Sequence, residues 1–310
     1  MSRAVRIHGY GGADVVQVDQ IDVPAPGAGE VLVKVHAAGV NALDWKIRQG
    51  YLQAAFPLPL PATLGIELAG EVMALGAGVT GFAPGDRVMG PLGRLGAYAD
   101  VVAIAADKLA LVPQAMDFTQ AAALPVASLT AWQALRAAGP LRPGQQVLIH
   151  GAAGGVGSFA VQFAKAAGAV VVATASASSR EHVLALGADR VIDRHAERFE
   201  EQVRGVDLVL DLVGGDALER SWQVLADGGA IVSTAAPDIV GRAPAGQRGL
   251  WFMMVPHQQQ LTEIAAMVAA GSLRSTIARV VAFDALAQAM EESHSGHAPG
   301  KVVVDFTRLC

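Results

Sequence analysis

The apolar positions of this chain change period partway along. Val31-Leu32-Val33-Lys34-Val35-His36-Ala37 alternates after a Pro/Gly turn over residues 24–29, the pattern of a half-buried strand. Residues 67–75, 86–89 and 97–104 are further strand-like runs, punctuated by Pro57, Pro59, Pro61, Pro84, Gly85, Pro91 and Gly93. Short strands between Gly/Pro turns predict a compact, barrel-like unit. The period lengthens after Asp117, the expected N-cap of a helix, and residues 118–138 read as helical with a break at Pro125. From Gln146 onward the two patterns alternate. Strands are expected at 147–150, 169–174, 190–193, 206–213, 230–234 and 250–255, and helices at 156–167, 179–186, 196–203 and 217–225. Six strands with crossover helices predict an α/β, doubly wound parallel sheet. The nearly unbroken apolar run at 206–213 fits a central parallel strand.

Beyond Pro256 the alternation stops. A helix at 260–270, a strand at 277–283, a helix at 284–292 and a strand at 301–306 are expected. This tail is expected to return to the first unit. The predicted division is therefore 1–124 and 257–310 for one discontinuous domain, and 125–256 for the nucleotide-binding domain between them.

The first turn of the alternating region carries the strongest chemical signal. An apolar run ends at His150, and Gly151-Ala152-Ala153-Gly154-Gly155-Val156-Gly157 leads into the next helix. A helix N-terminus offers free N–H groups and a positive dipole end to a pyrophosphate, and small residues let the backbone approach it. Ala152 stands where the second glycine of the strict fingerprint would be. Ala153, Gly154, Gly155, Val156 and Gly157 are the expected pyrophosphate contacts. In NAD binders an acid about 20 residues further on bonds the ribose 2′-hydroxyl. Here the second strand ends in Thr174-Ala175-Ser176-Ala177-Ser178-Ser179-Arg180, with no acid before Glu181. Hydroxyls and a guanidinium hold a 2′-phosphate where a carboxylate would repel it. NADPH is the expected cofactor, with Ser176 and Arg180 as phosphate contacts; helix capping by Ser178 or Ser179 and a solvated Arg180 are compatible with the same residues.

Composition narrows the partners. Hydrophobic residues make up 52% of the chain and charged residues 16%, which excludes a disordered chain. A net charge of −5 and the lack of a long basic run argue against nucleic acid. The first residues lack the apolar core of a signal peptide, and no run is apolar enough to span a membrane, so a cytoplasmic protein is expected. The single cysteine, Cys310, excludes intrachain disulfides and a multi-cysteine zinc site.

Several segments together resemble a known family. They are residues 38–50 (Ala38-Gly39-Val40-Asn41 through Gln49-Gly50), Leu64-Gly65-Ile66-Glu67-Leu68-Ala69-Gly70-Glu71-Val72, Pro84-Gly85-Asp86-Arg87-Val88, Gly96-Ala97-Tyr98-Ala99, Leu129-Thr130-Ala131-Trp132, the 151–157 loop, Asp211-Leu212-Val213-Gly214-Gly215 and Gly300-Lys301-Val302-Val303. In this order they resemble the zinc-independent medium-chain dehydrogenases/reductases, in the quinone oxidoreductase, zeta-crystallin-like branch. The resemblance implies a Rossmann domain plus a GroES-like barrel built from both chain ends, and a homodimer or tetramer. Zinc-dependent relatives carry a Cys where Asn41 stands and a His where Ile66 stands, which leaves Glu67 alone. A lone carboxylate is a poor zinc site, so no metal is expected and Glu67 is expected in an ion pair or hydrogen bond within the fold.

Without a Lewis acid, reduction of a conjugated acceptor is easier to support than alcohol oxidation. The expected activity is NADPH-dependent reduction of a quinone or α,β-unsaturated carbonyl. By resemblance, Asn41 faces the nicotinamide and substrate region, and Lys46 could hydrogen-bond a developing oxyanion or the ribose, or be a surface lysine. Thr130, Val213, Gly214, Ser233, Thr234, Phe252 and Met253 are expected near the cofactor. Arg194 could sit near the adenine, and Lys301 could reach the phosphates or ribose or only flank the last strand. His150 is expected as a polar lining residue of the loop. Gly50, Leu52, Ala54, Ala55, Phe56 and Leu58 suggest an apolar wall for the acceptor. Two other readings stand beside this one: a zinc-type alcohol dehydrogenase, and an NADPH-binding structural or regulatory protein.

Overall fold

The computed structural model describes residues 1–54, 56–295 and 299–308; Ala55 of the expected apolar wall and Cys310 lie outside the described residues. Two compact units result, Met1–Val126 with Pro256–Cys310, and Ala127–Val255.

The first unit opens with β1 (Ser2–Ile7), β2 (Val16–Ile21), β3 (Glu30–Val40), α1 (Ala42–Arg48), β4 (Ala62–Thr63), β5 (Glu67–Leu75), β6 (Arg87–Pro91), β7 (Val101–Ala105), β8 (Ala110–Leu111) and α2 (Phe118–Ala122). β1 and β2 were not expected. Asp117 caps α2: its Oδ1 accepts the Gln120 N–H at 2.8 Å, and Gln120 Oε1 accepts the Asp117 N–H at 3.2 Å. Helix α3 (Pro125–Ala134) starts on Pro125, a residue suited to the first helical position because the N–H it lacks has no partner there.

The second unit runs β9 (Gln146–His150), α4 (Gly155–Ala166), β10 (Val170–Ala175), α5 (Arg180–Ala185), β11 (Arg190–Asp193), α6 (Phe199–Gln202), β12 (Val206–Asp211), α7 (Gly215–Ser221), β13 (Leu225–Ser233) and β14 (Arg248–Trp251). Its sheet has the order β11-β10-β9-β12-β13-β14, parallel throughout. The order reverses direction between β9 and β12, so the loop after β9 lies at the switch point where such sheets bind ligands. Leu148, Val209 and Ile231 on the central strands are wholly buried, as expected for strands covered on both faces. Each such side chain contributes roughly 1.5–3 kcal/mol of burial.

After Pro256 come α8 (Gln258–Ala269), β15 (Ile277–Ala282), α9 (Leu286–Ser295) and β16 (Lys301–Asp305). β16 pairs antiparallel with residues 37–40 of β3, while β7 pairs with residues 30–34 of the same strand. The chain end thus completes the sheet of the first unit, in the order β15-β16-β3-β5-β6-β8. Val33, Leu68, Val88 and Val304 from four of these strands share one buried core.

Candidate functional site

The loop after β9 is built by its glycines. Gly151 has φ 73°, a conformation that costs a side-chain-bearing residue strain. Gly157 lies in the first turn of α4, and a Cβ there would run into the carbonyl oxygen of Gly151 and the backbone of Ala152. The missing second glycine has a physical explanation. Ala152 is fully buried and its N–H donates to Thr174 O at 3.3 Å, so its methyl group points into the fold and not toward a ligand. α4 buries Phe159, Val161 and Phe163, which fixes the helix under the loop. The Gly154 N–H bonds Gly151 O at 3.1 Å and closes the turn, and the first N–H groups of α4 beyond it have no partner one turn back.

Beside the loop, β10 ends in a cluster of hydroxyls. Ser176 Oγ lies 3.0 Å from Ser178 Oγ and 3.1 Å from Ser179 Oγ. The Arg194 N–H donates to Ala175 O at 2.9 Å, which brings the segment after β11 against the same end. The Arg194 backbone thus lies against the strand end that carries Ser176, while its own Nε donates to His195 Nε2 at 3.1 Å. Arg180 keeps 44% of its side chain exposed, as the solvated reading allows, and its Nη2 donates to Glu197 Oε1 at 2.9 Å. Glu197 arrives from the turn before α6, where a longer helix over 196–203 was expected. Its N–H instead bonds Asp193 O at 2.9 Å and folds residues 194–198 into a turn.

The ends of β12 and β13 are organised by Asp211, which is fully buried. Its Oδ1 accepts the N–H groups of Val213 at 3.1 Å and Gly214 at 2.8 Å. Its Oδ2 accepts the Ser233 hydroxyl at 2.6 Å, and its backbone carbonyl accepts the Thr234 N–H at 3.0 Å. Ser233 departs from its expected contact with the cofactor, because it is fully buried and its hydroxyl proton is committed to Asp211. Val213 is 53% exposed at the strand end, Thr234 is half-buried, and Thr130 is buried in α3. The strand expected over 250–255 ends at Trp251. Beyond it the Phe252 N–H bonds Ser233 O at 2.9 Å, and Met253 stands 56% exposed.

His150 does not line the loop. Its ring is buried between Thr174 Oγ1, 2.9 Å from Nδ1, and Ser221 Oγ, 2.9 Å from Nε2. Ser221 gives its proton to Ala217 O at 2.6 Å, so it accepts from Nε2–H, and Nδ1 accepts from Thr174. Burial pushes this imidazole down to about 4, partly offset by Asp211. A neutral ring with both nitrogens engaged is a strut between α7 and β10, and no proton carrier near pH 7.

The first unit holds a second buried polar cluster. The Lys301 ammonium at the start of β16 lies 2.6 Å from Glu67 Oε1 and also bonds Asn41 Oδ1. Glu67 is fully buried, and its Oε2 accepts the Val126 N–H at 2.7 Å. Asn41 Nδ2 donates to Glu67 Oε1 at 2.9 Å and to Gly39 O at 3.3 Å. Gly39 has no alternative here, because a Cβ would strike the Glu67 carboxylate. The Asn41 N–H donates to Asp44 Oδ2 at 2.8 Å, and Tyr98 gives its hydroxyl proton to the same oxygen at 2.6 Å. Burial pushes the Asp44 carboxyl up to about 6, against the two hydrogen bonds that favour its charged form.

Two expectations change with this cluster. Lys301 was carried over as a cofactor contact, yet its ammonium is buried and turned to Glu67 and Asn41. Asn41 was carried over as facing the substrate, yet both of its amide hydrogens are taken by Glu67 and Gly39. Lys46 differs from both: it is half-buried on α1, its ammonium lies 5.7 Å from the Trp45 ring centroid, and among the described residues it meets no carboxylate. Where zinc relatives have a Cys and a His, Asn41 and Ile66 stand, and the Glu67 carboxylate is paired with the Lys301 ammonium, a donor set that fits a zinc ion poorly.

Comparison with known proteins places these features. Residues 27–114 match the model described as "Alcohol dehydrogenase GroES-like domain", and residues 186–304 match "Zinc-binding dehydrogenase". The mouse protein "NAD(P)H oxidoreductase RTN4IP1, mitochondrial" is 34% identical, with 89% of this chain and 81% of that protein covered. The structure of the quinone oxidoreductase from Coxiella burnetii superposes with a TM-score of 0.93 at 34% identity, covering 98% of this chain and 99% of that one. That of the Escherichia coli quinone oxidoreductase complexed with NADPH has a TM-score of 0.89 at 31% identity, covering 98% and 100%.

Proposed function

The chain belongs to the medium-chain dehydrogenase/reductase family, in its quinone oxidoreductase branch, and from that premise we propose that it uses NADPH to reduce a quinone or an α,β-unsaturated carbonyl without a metal. The observation that carries the choice of NADPH is the acid-free end of β10, where Ser176 and Arg180 follow the strand beside the glycine loop and the Arg194 backbone bonds Ala175 O. The loop fits the cofactor: small residues open its backbone, and the turn before α4 leaves N–H groups for the pyrophosphate. Bound there, the nicotinamide supplies a hydride to the acceptor.

The chain's own residues then have separable tasks. Ala153, Gly154, Gly155, Val156 and Gly157 hold the pyrophosphate through backbone. Ser176 and Arg180 hold the 2′-phosphate, and Arg194 lies near the adenine. Val213, Gly214, Thr234, Phe252 and Met253 border the nicotinamide ribose and carboxamide, and Thr130 steadies the same end. Lys46 stabilises the oxyanion that forms as the acceptor is reduced, and water delivers the final proton. Asn41 positions groups through its carbonyl oxygen and the network of Lys301 and Glu67, since its amide hydrogens are already used. The Asn41, Ile66 and Lys301 set disfavours a zinc-dependent alcohol oxidation. A homodimer in the cytoplasm completes the proposal; the exposed Trp251, Met253 and Val255 at edge strand β14 and just beyond it support self-association.

Steady-state assays with NADPH against a panel of quinones and enones test the proposal. Consumption of NADPH with at least one acceptor class, reduced in Lys46→Ala, is expected. Tight NADPH binding with no turnover on any acceptor would leave a binding protein instead.

A further inference from the structure

Three donors converge on one carboxylate beside the end of β10. Glu197 Oε1 accepts the Asp193 N–H at 2.9 Å and Arg180 Nη2 at 2.9 Å, and Oε2 accepts Gln202 Nε2 at 2.9 Å. The Asp193 N–H, foremost among these contacts, holds the carboxyl below its ordinary range. Its charge is therefore fixed in place, and its partner is the same arginine proposed to meet the 2′-phosphate. The neighbouring Arg194 N–H is tied to Ala175 O at 2.9 Å, which keeps the whole turn against the serine cluster.

The consequence is electrostatic. A 2′-phosphate is a dianion or close to it, whereas a 2′-hydroxyl carries no charge. Arg180 favours the first strongly and the second hardly at all. A fixed carboxylate on Arg180 opposes that preference and leaves binding of the 2′-hydroxyl form untouched. The acid that NAD binders carry at the end of the second strand is missing from that strand, and one arrives by another route, from the turn after β11.

We infer that Glu197 is a specificity-determining residue that restrains the preference for NADPH over NADH by neutralising part of the charge of Arg180. This rests on the NADPH reading above. Glu197→Gln is the informative variant, because the amide oxygen still accepts the Asp193 N–H while the charge is gone. Glu197→Ala is the second variant should the first not unfold cooperatively. The test is calorimetric titration of NADP+ and NAD+ into wild type, Glu197→Gln and Arg180→Ala, with no acceptor present. The removed charge is exposed and screened, so the expected change is modest. Glu197→Gln should bind NADP+ about fivefold more tightly with NAD+ unchanged, and Arg180→Ala should bind NADP+ more weakly by a similar factor. Unchanged or weakened NADP+ binding in Glu197→Gln, or an equal shift for both cofactors, overturns the role of Glu197. The wild type separately reports on the premise: equal affinity for NAD+ and NADP+ would remove the NADPH reading, while the response to Glu197→Gln would still decide the role of Glu197.

Discussion

Each unit buries a polar cluster, and the two are built on opposite principles. In the first unit the cluster is charged: Lys301 and Glu67 form a buried ion pair, with Asn41, Asp44 and Tyr98 hydrogen-bonded around it. In the second unit the His150 cluster is neutral, its ring held in one tautomer between Thr174 and Ser221, with the buried Asp211 carboxylate close enough to act on it. A charged cluster is stable only while every charge has its partner, so its loss mode is the removal of one side chain. A neutral cluster fails instead when its ring gains a proton. The first unit needs the ion pair because β16 and β5 meet β3 from opposite sides and place Lys301 and Glu67 over the same strand end.

The largest predicted effect follows from the ion pair. Lys301→Met leaves the Glu67 carboxylate buried without its cation and should cost about 3–5 kcal/mol in chemical denaturation. Lys301→Met with Glu67→Gln removes both charges and should recover most of that loss. A double variant as unstable as the single one would break the contrast between the clusters.

Protonation is the next lever, and its sign differs between the two units. Asp44 is raised from 3.8 to about 6 in the folded protein, so the folded state holds more protons than the unfolded state between those values. Its contribution to stability therefore falls as pH rises from about 4 to about 6. His150 is lowered from 6.5 to about 4, so the unfolded state holds more protons over that window. Its contribution is fully present above pH 6.5 and is lost as pH falls toward 4. Each is worth on the order of 2–3 kcal/mol over its window. Denaturation across pH 4–7 should give Asp44→Asn a steeper rise of stability with pH than wild type, and His150→Gln a shallower one. Parallel slopes in all three proteins would contradict the assignment.

The smallest effect concerns the loop. Gly157→Ala must push its Cβ against Gly151 O, at a cost of about 1–3 kcal/mol. NADPH affinity should drop by about 10- to 100-fold, and chemical denaturation should show the same loss of about 1–3 kcal/mol. Gly241→Ala, outside the loop and with nothing within 4 Å of its added Cβ, is the control and should bind as wild type.

Sequence patterning reached the second unit more fully than the first. Continuous apolar runs and a glycine turn located the inner parallel strands, because such strands are buried on both faces and punctuated locally, whereas the exposed edge strand β14 was placed too late in the chain. β1 and β2 escaped: Arg3 and Arg6 interrupt β1, and Gln17, Asp19 and Gln20 make β2 read as polar. At the site, local signals were legible and distant ones were not. The loop, the serines and Arg180 lie in order along the chain. Glu197, the Asp211 bonds to Ser233 and the Lys301 contacts join segments far apart in sequence, and no spacing rule announces them. Lys301 stayed open for that reason: beside Gly300 it reads equally as a cofactor contact or as a flank of the last strand until Glu67 is folded against it.

The measurement closest to the central claim is a single-turnover reaction after metal removal. The protein is dialysed against a strong chelator, loaded with NADPH and mixed with a quinone, and NADPH absorbance is followed. The account predicts the same rate before and after chelation, with no gain on adding zinc. A rate lost on chelation and restored by zinc would contradict it.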